Sequence, residues 1–258
     1  MQLIGILAVC VIQTSAEHPA VLEFDNWVPR LAGTMHDGGG NIDLESNISL
    51  HDEEATPYIS FSLLPINDIT VSVSVYDFST SSSGSFSGNK TFGSMTLQTG
   101  DSYEASIDIA SVGWEAAWDT VKPYENSDST SLTFAPIVGL QWYGVDNRLE
   151  NVTDNQSVTH ENSWIAMQGG VRVRFDLQTK DVITMIDSIS IESQVMAGML
   201  FGDDGGSIWS VQAMVALHVS PTVSGHFGYR LQELMAEDGA YTFDAGLQGL
   251  YFGGEFRF

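Results

Sequence analysis

A chain of 258 residues is long enough for one large core, and a single all-β domain of this size is ordinary. Hydrophobic residues make up 43% and charged residues only 16%. Ser, Thr, Asn, Gln and Gly fill the gap, unlike a cytosolic surface with about 25% charge. Nine Lys and Arg against 33 Asp and Glu give a net charge of −24, which repels phosphate backbones and excludes a nucleic-acid partner.

The chain begins with an apolar run from Leu3 to Ile12, followed by the small residues Thr14-Ser15-Ala16. This is the pattern of an export signal over residues 1–16, cut before Glu17, although Met1-Gln2 brings no cation to its start. A lipoprotein cut at Leu7-Ala8-Val9-Cys10 is the alternative, disfavoured by the bulk of Val9. Cys10 is the only cysteine, so the cleaved chain has no disulfide and no thiolate metal site. No later stretch reaches the roughly 18 apolar residues of a spanning helix. A membrane form of this protein would therefore cross with strands.

Ten segments alternate with period two, the mark of a strand with unlike faces. The first is 41–50, with Ile42, Leu44, Ile48 and Leu50 on one face. Segments 58–64 and 69–78 follow, joined by a tight turn at Pro65–Asp68. Alternation resumes at 103–111 after a Gly/Ser-rich loop. Its phase then flips through Val112–Trp118, which predicts a bulge or a short helical turn. The remaining segments are 131–144, 164–177, 188–200, 208–220, 222–234 and 241–258. Long connections (79–100, 146–163, 236–240) alternate with short ones, the habit of barrels in outer membranes. The connections 119–130 and 178–187 are longer than that rule expects.

Alternation alone does not say which face points inward. Three features favour a polar interior. Arg172, Arg174, Glu192, His226, Arg230, Glu255 and Arg257 lie on the polar faces deep within strands, where Arg forks suit enclosed carboxylates. Aromatics stand near strand ends: Trp142, Tyr143, Trp164, Trp209, Tyr229, Tyr241, Phe243, Tyr251 and Phe252. Girdles at bilayer interfaces need that placement. In "GLYFGGEFRF", finally, Leu250, Phe252, Phe256 and Phe258 share one face and Glu255 and Arg257 the other. Here the chain resembles the bacterial outer-membrane β-barrel superfamily, whose last strand ends in an aromatic residue read by the barrel-assembly machinery. Gly254 and Gln248 depart from that pattern.

The resemblance implies an antiparallel up-and-down transmembrane β-barrel of about ten strands over residues 41–258. Residues 17–40 would be an N-terminal periplasmic segment. It also implies a place in the bacterial outer membrane, with lipid, lipopolysaccharide and the assembly machinery as partners. Leu250, Phe252, Phe256 and Phe258 would be the assembly signal.

His226, Arg230, Glu255 and Arg257 form the densest charged group, read as lumen-filling ion pairs or a constriction. His218 and Ser220 have the spacing of a lipid hydrolase pair, but Pro221 follows at once and spacing of two is what any strand face provides. The acidic stretches Asp52-Glu53-Glu54 and Asp203-Asp204 lack the spacing of a calcium loop. The expected function is that of a non-enzymatic small pore or structural barrel, with no cofactor and no metal. Its rivals are an outer-membrane lipid hydrolase using a lumen histidine and a secreted soluble β-sandwich binding module.

Overall fold

The computed structural model describes residues 20–63, 69–119, 121–126, 130–179, 185–202 and 204–258. The signal region, the Pro65–Asp68 turn and Asp203 lie outside them.

In chain order the strands are β1 (Ala20–Asp37), β2 (Gly40–Asp43), β3 (Thr56–Leu63), β4 (Ile69–Ser85), β5 (Lys90–Phe92), β6 (Met95–Leu97) and β7 (Ser102–Trp118). Then come β8 (Val121–Asn126), β9 (Thr130–Asn151), β10 (Gln156–Gln178), β11 (Ser188–Phe201), β12 (Gly205–His218), β13 (Val223–Asp238) and β14 (Tyr241–Arg257). Ten of these, β1, β3, β4, β7 and β9 to β14, pair antiparallel with their neighbours in sequence order, and β14 returns to pair with β1 over Val21↔Arg257 to Asp37↔Tyr241. The wall is thus a closed up-and-down barrel of ten strands, the fold class the alternation predicts. A closed wall rules out the two-sheet sandwich.

The strand set is not quite the expected one. Residues 20–37, read as a periplasmic segment, form the wall strand β1, whereas 41–50 contribute only the short β2 and a turn. Pro29 and Gly33 interrupt the alternation of β1. Segment 41–50 alternates because Ile42, Leu44, Ile48 and Leu50 all insert into a core. Val112–Trp118 is neither bulged nor helical but continues β7 in unbroken register with β4 and β9. The long 119–130 connection is explained by β8, which pairs with the start of β9. Stretches 146–151 and 156–163 belong to the β9–β10 hairpin and are not loops.

Why the phase of β7 flips is the central feature of the fold. Its odd-numbered residues point inward throughout, but the chemistry of the two faces exchanges partway along. At one end Tyr103, Ala105, Ile107 and Ile109 are buried inside while Glu104 and Asp108 face out. Towards the other end Ser111, Gly113 and Glu115 point inward, and Trp114 outside is 59% exposed. The same exchange occurs in β4 at Tyr76, in β9 at Tyr143 and in β13 at Gln232. The barrel therefore has a head that is apolar inside and polar outside, like a water-soluble protein, and a base with the opposite arrangement.

Around the base runs a belt of exposed apolar side chains. One row, Trp114, Leu140, Met167 and Met199, crosses four strands as direct neighbours. Such a belt is stable only against lipid or detergent. Leu140→Arg is expected to cost about 2–4 kcal/mol if the row lies near mid-bilayer. Urea unfolding in lipid vesicles measures it, and an unchanged midpoint would remove Leu140 from the lipid face.

In the head, segment 44–55 and the β5–β6 hairpin close the end of the barrel. Leu44, Ile48, Phe92 and Leu97 are fully buried against Met35, Phe78, Ile107, Val145 and Phe243 of the wall. The inserts are tied by backbone contacts: Gly93 N–H donates to Asp37 O (3.2 Å), and a Cβ on Gly40 would overlap the Thr91 carbonyl. His160 stacks on Tyr241 (4.1 Å between ring centres) and meets Asp37 Oδ2 at 2.9 Å. Tyr241 also contacts Asn147, and burial raises its phenol far above the usual range. On the outer surface of the head, Asp108, Asp146 and Glu161 are neighbours on adjacent strands. Burial, and then the charges of Glu161 and Asp108, hold the Asp146 carboxyl above its usual range.

Candidate functional site in the lumen

Between head and base lies a layer of large polar aromatics. Tyr58, Tyr76, Tyr143 and Tyr251, with Trp27, point inward at about one level. Glutamines meet the hydroxyls of three of the tyrosines: Tyr76 donates to Gln232 Oε1 (2.8 Å), Gln232 Nε2 donates to Tyr143, and Gln212 Nε2 donates to Tyr251 (2.7 Å). Arg230 rises into this layer. Its guanidinium lies 3.8 Å from the centre of the Tyr58 ring, 4.8 Å from Tyr251 and 5.4 Å from Trp27. Three rings around one buried cation make a cage in which cation–π attraction is strong, because little water screens it.

Directly below, β1, β14 and β13 place Asp25, Gly253 and His226 in one cross-strand row. Side chains two strands apart do not ordinarily touch. Here the middle strand presents a glycine, and Asp25 and His226 meet over it, with Oδ1 and Nε2 at 2.5 Å. Glu23, one inward position nearer the base, brings Oε1 to 3.5 Å from the same nitrogen and accepts from Ser60 Oγ at 3.1 Å. Arg230 Nη2 is 3.6 Å from Asp25 Oδ2. The side chain of Asp25 is fully enclosed and that of His226 nearly so. Buried charge at this density persists only when paired.

The other predicted residues line the cavity beneath, a space of about 640 Å³ that reaches the base rim at Pro221 and Arg257. Arg172 bridges Glu192 (3.2 Å) and Glu115 (3.6 Å) and donates to Gln194. Arg174 pairs with Asp176 at 2.8 Å, and Arg257 with Glu255 at 2.5 Å. All seven predicted charges thus face the interior. The predicted cluster divides in two, however: Glu255 and Arg257 pair with each other near the rim, while His226 and Arg230 are partnered by Asp25 and Glu23, which the strand assignment had placed outside the barrel.

His218 does not meet Ser220. Its Nε2 lies 2.8 Å from Ser190 Oγ, whereas Ser220 Oγ accepts from Val223 N–H within the turn. Of the aromatics read as girdle residues, Trp142, Trp209, Tyr229 and Phe252 do face outward, but Tyr143, Trp164, Tyr241, Phe243 and Tyr251 are buried inside. They lie at or above the level where the faces exchange and so belong to the enclosed interior, Tyr251 on the face it shares with Glu255 and Arg257. Leu250, Phe252, Phe256 and Phe258 all face outward, 49–66% exposed.

No protein-family model matches the chain, and a search of curated proteins returns no sequence relative. Solved structures do match in shape. The outer membrane protease OmpT from Escherichia coli aligns at 6% identity and a TM-score of 0.49, covering 96% of this chain and 99% of that one. Ail, the attachment invasion locus protein of Yersinia pestis, aligns at 10% identity and 0.36, covering 93% and 99%. The toluene transporter TodX of Pseudomonas putida aligns at 8% and 0.30, covering 94% and 90%.

Proposed function

We propose that this chain is a non-enzymatic barrel of the bacterial outer membrane, structural in role and closed to free diffusion, with its head outside the cell and its lumen cavity facing the periplasm. The observation that carries this reading is the apolar core filling the head. An ion entering from the base would meet the tyrosine–arginine layer and then a dry interior built from the wall, segment 44–55 and the β5–β6 hairpin. An aqueous pore needs an open, wettable path, and above the waist this lumen is filled by packed apolar side chains that enclose the His160–Asp37 and Asn147–Tyr241 contacts.

Membrane placement is supported by the apolar belt and by the substantial inserts, 38–55 and 86–101, both at the head, since outer-membrane barrels carry their larger loops outside. The outward-facing Leu250, Phe252, Phe256 and Phe258 suit engagement by the assembly machinery, and lipid with lipopolysaccharide would surround the belt.

In planar bilayers the purified barrel is expected to produce no stepwise conductance. Removing the hairpin (deletion of 88–99) is expected to leave it closed or leaky without unit steps, because segment 44–55 still fills the head. Regular channel openings in the intact protein would overturn the closed-barrel reading.

A further inference from the structure

We propose that Glu23, Asp25 and His226 form a binding site for a divalent metal ion of the zinc type, reached from the base of the lumen. One imidazole nitrogen and two carboxylate oxygens lie within 4.8 Å of one another. That donor set is borderline in softness, as zinc prefers, and a three-ligand site leaves a fourth position for water.

The spacing fits. Ligands on a tetrahedral zinc with bonds of about 2.0–2.2 Å stand roughly 3.3–3.6 Å apart. Glu23 Oε1 and His226 Nε2 are at 3.5 Å. Asp25 Oδ1 and His226 Nε2, at 2.5 Å, are in hydrogen-bond contact, and the pair would widen as a metal displaces that bond, since a ligating imidazole nitrogen must be free of a proton.

Burial and charge both bear on the site. His226 Nδ1, across the ring from the proposed ligand atom, is buried with no hydrogen bond among the described residues, and Asp25 Oδ2 makes no hydrogen bond there beyond its ion contact with Arg230 at 3.6 Å. Such atoms are rare in native interiors without a ligand or water to meet them. Charge agrees: among the described residues the two carboxylates face one fixed cation, Arg230, which stands on the aromatic side of Asp25. Glu23 lines the cavity that opens at the base rim, so an ion can enter without crossing the closed head. Gly253 is essential to the arrangement, because a side chain there would occupy the space between Asp25 Oδ1 and His226 Nε2.

The test is calorimetric titration of the chelator-treated, folded barrel in detergent with zinc chloride, paired with cobalt(II) absorption spectra. One zinc per barrel is expected, together with visible cobalt bands of low-coordinate nitrogen and oxygen ligation in the unaltered protein. Glu23→Gln and His226→Gln are each expected to weaken binding by more than the ~10–100-fold typical of outer-shell changes. Glu23→Gln retains an acceptor for Ser60, and heat-modifiable gel migration verifies that it folds. Absence of stoichiometric binding, or binding that neither substitution alters, would overturn the proposal. Because the readout is made in detergent, its failure is distinct from any result on conductance.

Discussion

Alanine at position 253 is expected to keep the barrel from reaching its closed form. Gly253 lies between Asp25 on β1 and His226 on β13, and a Cβ built on it would overlap both Asp25 Oδ1 and the Phe24 carbonyl oxygen and come within 2.9 Å of His226 Nε2. A flexible side chain could swing away, but the Phe24 carbonyl belongs to the β1 backbone and is held by the wall. Relief would require β1 and β14 to part where their pairing closes the sheet. The cost should exceed ~4 kcal/mol, the range of exceptional point substitutions. Heat-modifiable migration on a gel reads the outcome directly, with Gly253→Ala in the slow, unfolded band. Gly254→Ala is the matched control, since its Cβ would meet only the Ser224 carbonyl, at 3.6 Å, and point outward. Equal folded fractions for the two would show that the glycine is not required by the row.

The second large effect concerns charge. Arg230→Met keeps much of the side-chain length and apolar contact with Tyr58 and Tyr251 but removes the fixed cation that pairs with Asp25. A carboxylate with no exposure is then left facing Glu23 with the His226 contact but no fixed cation to offset it. Breaking one side of a buried pair typically costs about 3–5 kcal/mol, because the surviving charge cannot return to water. Loss of the aromatic cage adds to this. Adding Asp25→Asn to Arg230→Met should recover a large part of the loss, since the stranded charge goes with it. Arg148 offers the contrast: it pairs with Glu150 on the outer surface of the head with 59% of its side chain exposed, and Arg148→Ala should cost no more than ~1 kcal/mol. Urea titrations of the three variants in vesicles separate the cases. Similar losses for Arg230→Met and Arg148→Ala would mean that water enters the waist freely.

How far the sequence reveals this molecule depends on which physical signal each part carries. Alternation in 69–78, 164–177 or 241–258 reports a two-faced strand reliably, and the ten-strand wall was legible from it. It reports nothing about which face is inside. For residues of the base, such as Val171 against Arg172, enclosed arginine gave the right answer. For Tyr143, Tyr241 and Phe243 the same logic pointed outward, although they belong to a head whose faces are exchanged. The ten strands were also counted by compensation: 41–50 was included because four buried side chains alternate in an insert, and 20–37 was omitted because Pro29 and Gly33 disturb its rhythm. That omission hid half of the site. His226 and Arg230 were recognisable as enclosed charges, but their partners Glu23 and Asp25 lay in a stretch not read as strand. A usable signal is present, since Glu23-Phe24-Asp25 repeats the charged–aromatic–charged pattern of Glu255-Phe256-Arg257, on the strand with which β1 closes the wall.

That pairing has a consequence for when the lumen acquires its chemistry. Asp25 and His226 are 201 residues apart in the chain, and the strand between them, β14, is the one that joins the end of the sheet to its beginning. An intermediate with every hairpin formed but this seam still open would contain each ligand, each ring and each arginine without assembling them. Any signal from the Asp25–His226 contact therefore acts as a clock for ring closure: it is silent throughout the zippering of hairpins and turns on in the single event that converts a curved sheet into a barrel.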